Sequence, residues 1–236
     1  MRRANVPIAF SQGFTAHPKI SYASAAPTGV ASEAEYLELA LQDEVDPTEL
    51  VAALDAALPP GIDILDAVIA TDGNLADRIE ASAWQIELPG VPVDVLRQAA
   101  AAFLAAEEVP VERLTKQGMR TFDARGPVVS LTVRESDDAP LSPADGTTWA
   151  PSRGSAAGCA ILDCVVRLVT PAVRPDDVLS GLRVVAALEP PVPPRATRTA
   201  AGVLTAAGDF VDPLDADRND ARDGSAVIGT PSDRAG

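Results

Sequence analysis

The chain has 236 residues, 47% of them apolar, enough for one large core or two small ones. A formal net charge of −15 argues against general nucleic-acid binding over the whole surface, which needs clustered Lys and Arg to neutralise phosphate. No run of about 18 apolar residues is available to span a bilayer, and no signal peptide is expected, so the expected location is the reduced cytoplasm, without membrane contact.

Residues 1–5 read as the last turn of a helix, with Asn5 as its C-cap. The stretch from Phe10 to Ala23 follows, and it holds the only histidine, His17, and two of the five phenylalanines, Phe10 and Phe14. No acidic residue precedes Glu33, so Arg2, Arg3 and Lys19 make the first 32 residues locally positive. Residues 19–25 read as a strand. Residues 33–42 alternate with Leu37, Leu39 and Leu41 on one face, as a half-buried strand does. Asp46-Pro47-Thr48-Glu49 starts a helix, with Asp46 as cap, Pro47 at the first helical position and Leu50, Val51, Leu54 and Leu58 as the apolar stripe. Pro59-Pro60-Gly61 stops it, and residues 62–69 read as a further strand.

In the second half, residues 79–88 alternate as a strand, 92–108 are helical, and 109–115 form a strand. Lys116-Gln117-Gly118 turns the chain, and a strand follows at about 127–134. Residues 136–157 are a long polar loop. Residues 160–169 read as a strand that carries Cys164. Cys159 and Cys164, the only cysteines, have an odd spacing that argues against a disulfide within one strand. Pro175 opens a helix with Asp176 and Asp177 in its first turn, where their charge opposes the helix dipole favourably, and Pro190 stops it. A short closing strand is placed near Val203, within a segment, 199–236, that reads as a disordered tail rich in Ala, Gly and Asp.

The expected fold class is α+β. The order strand, helix, strand, strand, helix, strand is the ferredoxin-like unit, and the expectation is two such tandem halves, the first truncated at its N-terminus by one strand and most of one helix. The expected division is 1–70, 78–198 and the tail 199–236.

His17 is the candidate catalytic residue. An imidazole titrates near neutrality and suits proton transfer or an anion contact; the alternative is a loop histidine that pins its turn by hydrogen bonds. Ser11, Gly13, Phe14 and Lys19 lie beside it as candidate ligand-binding residues. Glu33 and Glu35, two apart on the same strand face, are a candidate carboxylate pair near His17, with strand-edge charge as the alternative. Residues 113–134 hold Arg113, Lys116, Arg120, Arg125 and Arg134 against Asp123 alone. Lys116, Arg120 and Asp123 are therefore candidates for holding a phosphate or RNA backbone, the alternative being a solvated hairpin tip. Arg174-Pro175-Asp176-Asp177 is explained by helix-start chemistry. No second histidine exists to build a metal site and no glycine-rich phosphate motif occurs, so neither metal nor cofactor is expected.

Several spaced motifs resemble the radical-SAM-linked family of bacterial proteins, a domain of unknown function. They are Val6-Pro7, Ser11-Gln12-Gly13-Phe14-Thr15, His17-Pro18-Lys19-Ile20, Gly29, Ser32-Glu33, Glu35-Tyr36-Leu37 and Leu58-Pro59-Pro60-Gly61. Further along come Lys116-Gln117-Gly118-Met119-Arg120 with Phe122-Asp123, Thr170-Pro171, and Arg174-Pro175-Asp176-Asp177. The resemblance spans about Met1 to Arg198, and family members carry further residues upstream, as the expected truncation requires. It implies a radical SAM protein as partner. The CxxxCxxC cluster motif of the radical SAM enzyme itself is missing. The expected function is a binding module that presents RNA or another anionic substrate to that enzyme. The alternative is a metal-independent RNA-processing or RNA-modifying enzyme built on the His17 loop, by analogy with other tandem ferredoxin-like proteins.

Overall fold

The computed structural model of the chain describes residues 3–71, 73–116, 118–135 and 159–218. In chain order the elements are β1 (Ile20–Ala23), β2 (Ala31–Ser32), β3 (Tyr36–Leu39), α1 (Pro47–Asp55), a 3-10 turn (Leu75–Arg78), β4 (Ala81–Pro89), α2 (Val93–Ala105), β5 (Pro110–Thr115), β6 (Gly118–Asp123), β7 (Val128–Glu135), β8 (Cys159–Arg167), α3 (Pro175–Ala186), β9 (Arg195–Leu204) and β10 (Phe210–Val211). The fold is mixed α+β. No helix of the described residues is long and apolar enough to cross a membrane.

The chain divides into two compact units, but not at one point in the sequence. Of the described residues, the first takes those up to 25, then those from 35 to 79, then 205–218; the second takes 26–34 and those from 80 to 204. A purely sequential division near residue 78 is therefore not what the contacts give.

The second unit is built on a sheet of order β9-β4-β8-β7, antiparallel at each junction, with β2 added in parallel to β9. Burial alternates along β4, where Ser82, Trp84, Ile86 and Leu88 are buried on one face. Ala160, Leu162, Cys164 and Val166 of β8 do the same. That face joins Leu96, Ala99, Ala100 and Phe103 of α2 and Val178 and Leu182 of α3 in one apolar cluster. Helix α2 connects β4 to the β5–β6 hairpin and β7, and α3 connects β8 to β9. The two helices pack against each other where Gly181 leaves room: a Cβ there would lie 2.5 Å from Phe103 Cε2 and 3.1 Å from Val109 Cγ1. The cysteines are free, with Cys164 in the core and Cys159 half-buried.

The first unit is a two-stranded ladder, β1 against β3, running from Ile20↔Leu39 to Ala23↔Tyr36. Beyond its open end three segments meet at Lys19, whose N–H donates to Ala9 O and whose carbonyl accepts from Ala40 N. Helix α1 starts as the sequence dictates, the Asp46 carboxylate accepting from the N–H groups of Thr48 and Glu49. Ile8, Ala23, Leu54, Leu75 and Ile79 are its buried apolar residues.

Three expectations need correction. Residues 62–69 are not a strand: no ladder partner exists for them among the described residues, Ile64 N donates instead to Asp55 Oδ1, and Ile62, Leu65 and Ile69 stay exposed. An apolar segment forms a strand only where a second edge is there to bond. Residues 199–218 are not a disordered tail. Most of β9 lies there and extends well beyond a short closing strand; it is paired along its length to β4, and Asp217 and Arg218 are tied into the first unit. Its Arg, Thr and Ala content hid it, because a strand between two neighbours needs ladder bonds more than apolar side chains. Finally, the strand expected after the turn at Lys116-Gln117-Gly118, at about 127–134, is preceded by another that was not expected, β6 (Gly118–Asp123). The expected loop 136–157 and the residues from 219 onward lie outside the described residues.

Candidate functional site

The His17 loop belongs to the first unit and is closed by its own backbone. Phe10 and Pro18 form an antiparallel bridge. Inside that bridge Ser11 N donates to His17 O at 2.8 Å, and His17 N donates to Ser11 Oγ at 3.0 Å. Gly13, at φ +130°, supplies the left-handed turn at the tip that an L side chain rarely adopts. Closure thus uses the Ser11 hydroxyl and the main chain of His17. The His17 imidazole, the Lys19 ammonium and the Phe14 ring stand exposed, with no hydrogen bond or ion pair among the described residues. A histidine that pins its turn through its ring is not what is seen.

Glu35 does not join this group. It adjoins Tyr36, which pairs with Ala23, whereas Lys19 adjoins Ile20, which pairs with Leu39. Five residues of strand, ~17 Å, separate the two ends. The structure thus brings together Ser11, Gly13, Phe14, His17 and Lys19 and leaves Glu35 at the far end of the ladder.

The basic segment belongs to the second unit and forms the β5–β6 hairpin, in register from Pro110↔Asp123 to Thr115↔Gly118. Asp123 is spent on structure: its carboxylate accepts from the N–H groups of Val109, Arg125 and Gly126, each at 2.8 Å. Burial pushes its pKa up, but the three backbone donors and the Arg125 charge together outweigh burial and hold the carboxyl below its ordinary value. Lys116 and Arg120 are exposed and without partners among the described residues. They flank Leu114 and Met119, which face each other across the hairpin and are themselves exposed.

Sequence reasoning missed how the hairpin is held. Arg113, directly opposite Arg120, stacks its guanidinium over Phe122 at 4.7 Å. It donates to Asp177 Oδ2 at 2.7 Å and to Ala172 O at 3.0 Å. The buried Asp177 carboxylate also accepts from Arg174 N at 2.8 Å, satisfying the N-cap N–H at the start of α3. Burial pushes the Asp177 pKa up, against the Arg174 N–H and the Arg113 charge. The segments 113–123 and 170–177, far apart in sequence, are one structural joint. A second missed group is Arg198, fully buried on β9, which lies 5.9 Å from the Trp84 ring and donates through Nε to Ser32 Oγ of β2. Its only sequence signal is an arginine at the very end of the expected second half, next to the segment read as a tail.

A family model described as an uncharacterized protein conserved in bacteria (DUF2344) matches residues 1–175. No curated protein matches the chain.

Proposed function

The chain belongs to this family of uncharacterized proteins conserved in bacteria, and from that premise we propose that it is a binding module that presents RNA, or another anionic substrate, to a radical SAM enzyme. The radical SAM partner is supported by the spaced motifs of the resemblance, from Ser11-Gln12-Gly13-Phe14-Thr15 to Arg174-Pro175-Asp176-Asp177. The observation that carries the binding reading is the closure of the His17 loop by Ser11 and the main chain. It leaves an imidazole, an ammonium and an aromatic ring preorganised and unengaged on a surface with local positive charge. The exposed Lys116 and Arg120 of the β5–β6 hairpin provide a second cationic patch of the same kind.

The strand order β9-β4-β8-β7 with α2 and α3 as crossovers supports reading the second unit as a βαββαβ ferredoxin-like unit, with the β5–β6 hairpin inserted after the first helix. For the first unit the same reading rests on the order β1, β3, α1 alone.

The test is ultraviolet crosslinking of the full chain to a labelled single-stranded RNA. It is run on wild type, His17→Ala/Lys19→Ala and Lys116→Ala/Arg120→Ala, with and without the co-expressed radical SAM protein. Crosslinks reduced in both variants, together with stable copurification of the pair, are the expected outcome. No crosslink in any form and no association at micromolar concentration would sink the proposal. One observation favours a second reading: the free His17 imidazole beside the Lys19 cation is the pair that base-assisted cleavage of an RNA phosphodiester would use. That reading predicts cleavage products that vanish in His17→Ala while RNA stays bound.

A further inference from the structure

The chain is poor in aromatic residues, with five Phe, two Tyr and two Trp in 236 residues. Where the second unit's aromatics are described they are packed: Trp84 and Phe103 are buried, and Phe122 lies under Arg113. In the first unit Phe10, Phe14 and Tyr22 fall within thirteen residues of one another, and all are exposed, Phe14 fully and Tyr22 at 63%. Scattered exposed apolar residues need no explanation, but here three of a small set cluster on one loop and the strand that follows it. Tyr22 sits on the β1–β3 face that carries Ile20, Leu37 and Leu39. The other face carries Ser21 and Glu38, and Glu38 Oε1 accepts from Leu75 N there. Lys19 and His17 lie in sequence between Phe14 and Tyr22.

We propose that Phe14 and Tyr22 are stacking platforms for unpaired bases of single-stranded RNA, with Lys19 and His17 contacting the phosphates between them. The inference rests on the RNA reading above and assigns that reading its ligand class. Three features favour a single strand. A π-face accepts any base, and aromatic stacking interleaved with cations is the usual chemistry of single-strand binding. A duplex hides its bases from such platforms. Gly13 and the Ser11–His17 bonds hold the Phe14 loop in shape before ligand arrives. The span also fits, since Phe14 and Tyr22 are eight residues apart, at most ~28 Å when extended and less in a closed loop, which is the reach of a few nucleotides.

The experiment uses the full chain and a twelve-nucleotide oligouridine, with an RNA duplex of equal length as control, and reads affinity as a function of salt. Phe14→Leu and Tyr22→Leu keep apolar bulk and remove the π-face. Each is expected to weaken oligouridine binding roughly tenfold without changing the slope of log affinity against log salt, while Phe14→Trp retains affinity and its added indole emission is quenched on binding. Lys19→Ala is expected to flatten the salt slope by ~0.7, the value of one phosphate contact on a single strand. Wild-type affinity in both leucine variants, or equal affinity for the duplex, overturns the stacking assignment while leaving RNA binding standing. No binding of oligouridine by wild type overturns both. Circular dichroism of each variant, matching wild type, confirms that the leucine variants fold.

Discussion

Asp177 shows how one side chain can join distant parts of the sequence. Its carboxylate is buried, yet it accepts from Arg113 and from the Arg174 N–H, so both its charge and its lone pairs are used. Removing one partner of such a pair leaves the other desolvated without compensation. Asp177→Ala is therefore expected to cost ~3 kcal/mol in urea unfolding, and to loosen the β5–β6 hairpin, read as faster amide exchange in Arg113–Phe122 ladder positions. Asp217 behaves differently. The Arg78 guanidinium, helped by bonds from Thr71 N and Oγ1, holds its carboxyl pKa down to about 2 from 3.8. A depressed folded-state pKa stabilises the fold above the unfolded value, and that contribution disappears as pH falls from about 5 toward 2. Asp217→Asn should lower stability at pH 7 by ~2 kcal/mol, and its stability should fall less steeply than wild type below pH 5, as measured by urea midpoints across that range.

At the scale of elements, helix starts were legible and helix packing was not. Asp46-Pro47 and Pro175-Asp176-Asp177 announce α1 and α3 by local chemistry that depends on the nearest few residues. Gly181, inside α3, reads locally as a weak helix former. Its role is set by Phe103 of α2 and by Val109, both in contact range of any added Cβ. Gly181→Ala should therefore destabilise by ~1–3 kcal/mol, overriding the ~1 kcal/mol that alanine gains in helix propensity; a Tm that rises instead would show that the ring can move aside. Strands divided in the same way. β4 and β8, buried on one face, alternate visibly. β9 does not alternate in hydropathy, so only a short closing strand near Val203 is expected of it, while residues 62–69 are apolar enough to read as a strand and are none. Ladder bonds come from a neighbour, and the neighbour is not written in the segment itself.

At the scale of the molecule, the chain order and the spatial units disagree. Residues 26–34 leave the first unit to place β2 beside β9, and residues 205–218 return to it. Arg218 bonds Asp66, Asp212 and Asp215, and Asp217 bonds Arg78 and Thr71, all within the first unit. A chain ended at Leu204 should therefore lose amide protection at Thr71, whose N–H donates to Asp217 at 3.0 Å, while the β4–β8 amides keep theirs in hydrogen-exchange measurements.

The sequence by itself determined what near neighbours decide: the capped helix starts, the half-buried strands with a clean period of two, the glycine at the His17 loop tip and the uneven placement of charge. It also marked the loop and the basic segment as the chemically distinctive stretches. Only the tertiary structure decided which of those residues remain available. Asp123 is consumed by three backbone donors and Arg113 by Asp177, whereas His17, Lys19, Phe14, Lys116 and Arg120 are left to solvent. The reason is physical. A residue type states what a side chain is able to bond, but whether that capacity is already used depends on donors and acceptors brought from elsewhere in the chain, over sequence distances that no local pattern records.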